Sequence, residues 1–216
     1  MKQILSDTDR TLLDKLIDEA EIKTKAQIVL ATVKRSDSYA EIPWKAFAFG
    51  SSIAGLVVFL MDLLLPGWIT DTLILFPVAV ILATGALFVI LTVLFQGFAK
   101  LFLSESRKET ETMQYAESLF LARELYATEG RRGILLLVSQ FEQRVVILPD
   151  KGVRDCISNE DIKNIISKMT RHLRQNDVRK AMETGLEELV TELCLSAPSR
   201  PDRNELSNEI IEEEGV

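Results

Sequence analysis

The sequence predicts an α/β fold: a small helix-covered sheet interrupted by a two-helix transmembrane hairpin. Three observations carry that expectation. A long apolar stretch from Ala46 to Phe95, free of Lys, Arg and Glu, lies inside an otherwise charged chain. Two strongly apolar runs of strand length, Gln27–Val33 and Gly133–Ser139, stand on either side of it. Segments with helical spacing of apolar residues flank both runs.

The 216 residues carry a net charge of −7, and residues 197–216 alone hold six acidic side chains against two arginines. With Asp62 and Asp71 of the apolar stretch also set aside, the remaining residues sum to −1 and lack the basic footprint of a nucleic-acid binder, so nucleic acid is excluded as a partner. The acidic tail, residues 198–216, reads as disordered, able to form a short helix only on binding. Cys156 and Cys194 form no CxxC pair and read as reduced, buried thiols. The opening MKQILSDTDR turns polar too early for a secretory h-region.

The apolar stretch divides into Ala46 to about Leu65 and Leu73 to about Phe95. Each supplies the roughly 20 residues that cross a ~30 Å hydrocarbon core. Pro66-Gly67-Trp68-Ile69-Thr70-Asp71 joins them, a short connection that makes the spans antiparallel neighbours. The only ionised residues in the stretch are Asp62, one turn inside the end of the first span, and Asp71. Asp62 reads as interfacial, where a charge costs little. Pro77 falls in the first turns of the second span, where a missing N–H is tolerated. Small residues at Gly50-xxx-Ala54, Ser51-xxx-Gly55 and Ala79-xxx-Ala83 predict close helix packing, within the hairpin or between copies. Lys34, Arg35, Lys45, Lys100, Arg107 and Lys108 flank the spans while the connection has no basic residue. The positive-inside rule then places both termini and the soluble domain in the cytoplasm.

Before the hairpin, Ser6 and Asp9 match a capping box, and Leu12, Leu13, Leu16, Ile17 and Ala20 define a helix face. Gln27–Val33, apolar on both faces, reads as a central strand. After the hairpin, Ser104 to Thr128 reads as an amphipathic helix with Tyr115, Leu119, Ala122 and Tyr126 on one face. It can continue directly from the second span, because only Gly97 weakens a helix between them. Gly133–Ser139 and Arg144–Leu148, joined by a tight turn at Gln140-Phe141-Glu142, read as an antiparallel pair. Ser158 and Asp161 cap a helix with Ile162, Ile165, Ile166, Met169 and Leu173 inward. Asn176 or Asp177 caps the last helix, with Val178, Met182, Leu186, Leu189, Val190 and Leu193 inward. The domains are thus residues 1–45 with 100–196, a discontinuous soluble unit, and residues 46–97, the hairpin, followed by the tail.

That order, together with Lys23-Thr24-Lys25-Ala26-Gln27-Ile28-Val29, Arg35-Ser36-x-Ser38-Tyr39-x-Glu41 and Arg132-Gly133-Ile134-Leu135-Leu136-Leu137-Val138-Ser139, resembles the TPM domain, or TPM phosphatase, family. Glu142-x-x-Val145-Val146-Ile147-Leu148-x-Asp150-x-Gly152 resembles its following strand and turn, and Gly185 in the last helix also fits. The likeness extends over most of residues 5–195 and points to a membrane-embedded branch with the hairpin as an insertion. It implies a TPM-like α/β sandwich, a phosphatase activity and acidic residues that hold calcium or another divalent ion. The family-motif positions are Arg132, Gly133, Glu142 and Gly152. The acidic residue that relatives carry just before the first helix has no counterpart.

The residues themselves offer no catalytic motif. Cys156 heads no Cys-x5-Arg run, there is no DxDx[TV] stretch and no P-loop, and His172 is the only histidine. The best acidic group is Asp150, Asp155, Glu160 and Asp161, a candidate site for Ca²⁺ or Mg²⁺, since hard cations take several oxygen ligands. Glu160 and Asp161 have a plainer role at a helix N-terminus. Glu142 reads as a solvated turn residue, and Arg132 as serving the helix-to-strand corner rather than holding lipid or phosphate. The function expected is a membrane-anchored TPM-domain protein acting as a binding, scaffolding or assembly module at the membrane surface. Its partners would be the lipid bilayer and either a second copy or another membrane protein. The alternative is a divalent-metal-dependent phosphatase.

Overall fold

The apolar runs on either side of the hairpin become the two middle strands of one sheet. The computed structural model describes residues 4–65, 75–194 and 210–215. Its elements are α1 (Asp7–Thr24), β1 (Gln27–Val33), α2 (Glu41–Leu64), α3 (Leu75–Leu94), α4 (Gln96–Lys100) and α5 (Glu105–Ala122). Two 3-10 turns, Leu125–Ala127 and Glu129–Arg131, lead to β2 (Gly133–Ser139), β3 (Arg144–Pro149), α6 (Lys151–Arg154), α7 (Asn159–Leu173), α8 (Val178–Cys194) and β4 (Ile211–Glu213). The chain divides into two compact units, Tyr39–Arg107 and Met1–Ser38 with Lys108–Val216.

In the larger unit the strand order is β3-β2-β1-β4. β1 lies parallel to β2 with Gln27 opposite Gly133 and Val33 opposite Ser139, and β2 lies antiparallel to β3 with Leu136 opposite Ile147. Strands with apolar residues on both faces need cover on both faces, and they have it. Val29, Ala31, Leu135 and Leu137 pack under α5, whose Ala116 and Leu119 are buried against them. Ile28, Leu30, Ile134, Leu136 and Val138 meet the stripes of α1, α7 and α8: Leu13 and Ile17, Ile165 and Met169, Met182 and Leu186. Each fully buried aliphatic side chain contributes about 1.5–3 kcal/mol of burial, and β2 buries all of its residues. Gly185 is needed where α8 crosses: a Cβ there would lie 2.7 Å from Met169 Sδ and 2.8 Å from Leu136 Cδ1. Both expected capping boxes are present, Ser6 with Asp9 and Ser158 with Asp161.

Three expectations are corrected in this unit. The amphipathic segment after the hairpin stops as a helix at Ala122, because Glu124 adopts a left-handed conformation (φ 53°), so Ala122 and Tyr126 are exposed and Leu125 is buried instead. A helical stripe cannot extend past such a residue. The tail expected to be disordered over residues 198–216 contributes β4, which pairs in parallel with β1, Ala31 opposite Ile211 and Val33 opposite Glu213. The expected helix-on-binding is replaced by an edge strand, because β1 would otherwise show its unpaired N–H and C=O groups to solvent. Residues 198–209 lie outside the described residues. Cys156 is a half-buried free thiol rather than a fully buried one.

In the smaller unit α2 and α3 form a helical hairpin, both long and apolar enough to cross a membrane. α2 begins at Glu41, a turn earlier than the apolar run, so Trp44 and Lys45 ride on its first turns. Its inward stripe is Ile42, Ala46, Gly50 and Ala54. A Cβ at Gly50 would lie 2.8 Å from the Phe88 ring, and Gly55 faces Ile81 at 4.0 Å. On α3 the packing residue is Gly85, against Ser51 and Phe47, whereas Ala79 and Ala83, predicted for that role, are exposed. The reason is rotational: the contact stripe of α3 runs through Ile81, Gly85, Phe88 and Thr92, and Ala79 and Ala83 lie off it. Pro77 sits in the first turn of α3. The predicted connection at Pro66–Asp71 lies outside the described residues.

The second hairpin helix, α3, does not run straight into the following helix. Phe95 is extended (φ −121°, ψ 102°), α4 is a separate short helix, and α5 starts afresh at Glu105. Four aromatic rings hold this corner, Phe49, Phe88, Phe98 and Phe102, with neighbouring centroids 5.4–6.1 Å apart. Their tilted and edge-to-face packing accompanies the turn of the chain at Phe95, which helix propensity does not reveal. Arg107 Nε lies 3.7 Å from Glu41, so the two ends of the smaller unit meet.

Candidate functional site

β3 ends at Pro149, and the next residue, Asp150, turns the chain into α6. Asp150 is buried (6% exposed) and caps α6, its Oδ1 accepting the Lys151 N–H at 2.7 Å. Arg131, held with positive φ at the end of the preceding 3-10 turn, grips the same carboxylate by two nitrogens, Nε to Oδ2 at 3.1 Å and Nη2 to Oδ1 at 3.0 Å. Two-point Arg–carboxylate pairs are among the stronger polar contacts in proteins. Gly152 lets the chain pass close by: a Cβ there would lie 2.8 Å from the Arg131 carbonyl. A cavity of about 700 Å³ opens here, with Phe120, Leu121, Leu148 and Pro149 as apolar lining and Glu117, Arg131, Lys151, Arg154, Asp150 and Asp155 as charged lining.

The four predicted metal ligands are not gathered. Asp150 is occupied by Arg131 and its own cap, Asp155 and Glu160 are exposed, and Asp161 is committed to Ser158, whose N–H and hydroxyl it accepts at 3.2 and 2.5 Å. Among the described residues no three His, Cys, Asp or Glu side chains form a group able to hold a metal ion. The donor set therefore does not fit Ca²⁺ or Mg²⁺, which would need several free oxygens converging. Glu160 and Asp161 sit in the first turn of α7, where negative charge is favoured.

Arg132 serves the helix-to-strand corner. Its Nε and Nη2 donate to the carbonyls of Lys25 and Thr24 at 2.8 and 3.0 Å, capping the last turn of α1. Gly133 is required because a Cβ would press on the Leu125 backbone. Glu142 is the clearest correction. Read as a solvated turn residue, it is buried (4% exposed), accepts the Ser36 N–H at 3.0 Å and the Ser139 hydroxyl, while Ser36 Oγ donates to Ser139 Oγ at 3.1 Å. The network ties the end of β1 to the β2–β3 turn, and Arg35 stacks on Phe141 beside it (4.3 Å to the centroid). Ser36 and Ser139 lie in the stretches that carry the family resemblance, but local pattern does not show that the two meet at Glu142. Ser139 has a carboxylate partner but is wholly buried, so no substrate reaches it.

Glu21 is a second buried carboxylate. It accepts the Ile28 N–H at 2.8 Å, bridging α1 to β1. Burial pushes its pKa up to about 7, against the Ile28 hydrogen bond and with help from Asp18. His172 is half-buried on α7, with no described nucleophile paired to it. Cys194-Leu195-Ser196-Ala197-Pro198-Ser199-Arg200 has Cys-x5-Arg spacing. Its cysteine ends α8, at the negative pole of a helix, whereas a phosphate loop precedes a helix and uses the positive pole. Arg200 lies outside the described residues.

A helix-covered mixed sheet with a helical hairpin entering after its first strand defines the class: an α/β sandwich with an inserted hairpin. The family model of the TPM domain matches residues 98–192, and over that stretch the chain is similar to a TPM domain. The match begins after the hairpin, so α1 and β1, which complete the sandwich, come from outside it. The fold is similar to the NMR structure of BA42 protein from the psychrophilic bacterium Bizionia argentinensis. The TM-score is 0.59 at 14% identity over 98% of this chain and 97% of that one. No curated protein matches.

Proposed function

We propose that the chain is a membrane-tethered TPM-domain protein that works by binding and assembly at the membrane surface rather than by catalysis. The observation that carries this reading is the outward apolar face of the hairpin. Leu64 is 74% exposed and Leu75 82% exposed, with Leu56, Phe59 and Val93 alongside, an apolar surface far beyond what water tolerates. A bilayer covers such a surface and needs no partner on it. Lys34, Arg35 and Lys45 before the hairpin and Lys100, Arg107 and Lys108 after it orient both ends to the cytoplasm. Against catalysis stand the self-paired Asp150, the scattered carboxylates and the inaccessible Ser139.

The anchor is tested by alkaline carbonate extraction of membranes holding the full-length chain. The protein should stay with the membrane, and Leu56→Lys with Val89→Lys should release it, since each mid-span charge costs about 2.5–3.5 kcal/mol or more. Release of the wild type sinks the anchor. Orientation is read from thiol labelling at Asp71→Cys, expected only from the non-cytoplasmic side. The non-catalytic reading is tested with a generic aryl phosphate and Mg²⁺, Mn²⁺ or Ca²⁺. Turnover that Asp150→Asn abolishes would replace it with the phosphatase reading.

A further inference from the structure

The carboxy-terminal strand is held by more than a short ladder. Three residues pair with β1, and the flanking residues alternate between the two faces of the sheet. Ile210 joins the core on the α1 side and Ile211 the core under α5. Glu212 turns to the α1 side, where it takes Arg10 Nη2 at 2.8 Å and the N–H groups of Leu5 and Ile4 at 3.1 and 3.4 Å. Glu213 turns to the α5 side, where it accepts the Tyr115 hydroxyl and faces Arg123 at 3.9 Å. Glu214 takes Lys34 Nζ at 2.6 Å. Gly215 has a positive φ of 83°, and a Cβ there would collide with the Arg35 carbonyl. Every position from 210 to 215 thus meets a surface shaped for it: two apolar slots, three carboxylate sites of distinct chemistry, and a place only glycine fits.

This is strand addition, with main-chain pairing for affinity and alternating side-chain sites for specificity. The sites lie on α1, α5 and the β1 edge, and none of the residues just named as partners belongs to α8, the helix from which the segment is strung. They recognise the segment by sequence and are indifferent to which copy supplies it. The hold is also local: a three-residue ladder with its side-chain sites, against a whole-domain core. Anchored copies share one plane, which raises their effective concentration for one another.

We propose that the edge of β1 covered by β4 is a strand-acceptor site for the sequence Ile-Ile-Glu-Glu-Glu-Gly, and that a second copy of this chain supplies that strand in exchange for the acceptor's own. The acceptor side is lined by Arg10, Lys34, Tyr115 and Arg123. The exchange is reciprocal, each copy giving and receiving one strand, so it closes at a dimer. It deepens the assembly reading above and rests on it.

The test uses full-length chains in the membrane with Cys156 and Cys194 replaced by serine. Ala31 and Ile211 are register partners on one face of the sheet. One tagged copy carries Ala31→Cys and a second, differently tagged, carries Ile211→Cys; both are co-expressed and oxidised. A disulfide dimer bearing both tags is expected. It should be lost when the Ile211→Cys copy also carries Glu212→Lys, and reduced by excess synthetic peptide of residues 208–216. No mixed dimer, whether or not a single chain with both cysteines closes its own disulfide, overturns the proposal. Should the cysteines impair folding, Arg10→Glu in one copy and Glu212→Arg in the other give a second measurement. The reversed copies should co-purify several-fold better with each other than with themselves, and equal recovery overturns exchange. Carbonate extraction of the same samples separates the two failures: a retained protein without mixed dimers loses strand exchange and keeps its anchor.

Discussion

In β2 every residue from Gly133 to Ser139 is buried, and the interior is built of Ile134, Leu135, Leu136, Leu137 and Val138. In α2, a much longer element, the buried residues are Ile42, Ala46, Gly50 and Ala54, while Leu56, Phe59, Leu63 and Leu64 point outward. The larger unit puts bulk inside and charge outside; the hairpin puts small residues between its helices and bulk outside. The hydrophobic effect explains the first, because water drives large apolar groups inward. It cannot explain the second. Close packing of small residues draws helices together where the surrounding medium is as apolar as leucine. On the membrane-anchored reading proposed above, the same apolar alphabet serves two solvents within one chain.

The largest effect that tests this contrast is a matched pair of truncations in full-length protein in detergent. Leu136→Ala should destabilise the larger unit by about 2–5 kcal/mol, as a cavity in a packed core does. Leu64→Ala removes the same atoms from an outward face and should stay within about 0.5 kcal/mol. Equal losses in denaturant or thermal unfolding followed by circular dichroism would break the contrast.

Next is Glu21, a buried carboxylate with no counterpart among the described residues of the hairpin. Its folded pKa, about 7, lies above the ordinary carboxylate value, so the folded state binds the proton more tightly than the unfolded. The stability it contributes is in place below about pH 4.5 and is lost as pH rises through about 7, at most about 3 kcal/mol. Wild type should be more stable at pH 5.5 than at pH 8 by a margin that Glu21→Gln removes, since glutamine still accepts the Ile28 N–H without charging. An unchanged pH dependence in Glu21→Gln would assign the slope to other groups.

A smaller effect sharpens the hairpin side. Gly50→Val drives a side chain into Phe88 and should cost about 1–3 kcal/mol by overpacking. Gly97→Ala meets nothing within 4 Å and should cost nothing measurable. Thermal unfolding in micelles distinguishes the two, and equal tolerance would mean that the helices do not pack through Gly50.

Much of this was legible beforehand. Both middle strands, both capping boxes and the hydrophobic stripes of α7 and α8 follow from local patterns, because period and cap chemistry are local properties. Glu142 was not legible. A glutamate in a tight turn is ordinarily solvated, and only Ser36, far away in sequence, supplies the N–H that makes its burial tolerable. The metal group failed for a related reason: closeness in sequence around Asp150–Asp161 does not make side chains converge, and Arg131 had already claimed Asp150.

The sequence by itself determined the apolar stretch, its division into two long helices and the strands on either side, since composition and periodicity act over a few neighbouring residues. Tertiary structure alone decided which glycine the helices pack on, whether Asp150 and Glu142 are free or tied, and that an acidic tail becomes the fourth strand. In isolation residues 210–215 lack the composition to fold. They become a strand because β1 offers unpaired backbone groups and Arg10, Lys34, Tyr115 and Arg123 stand where three consecutive glutamates can reach them.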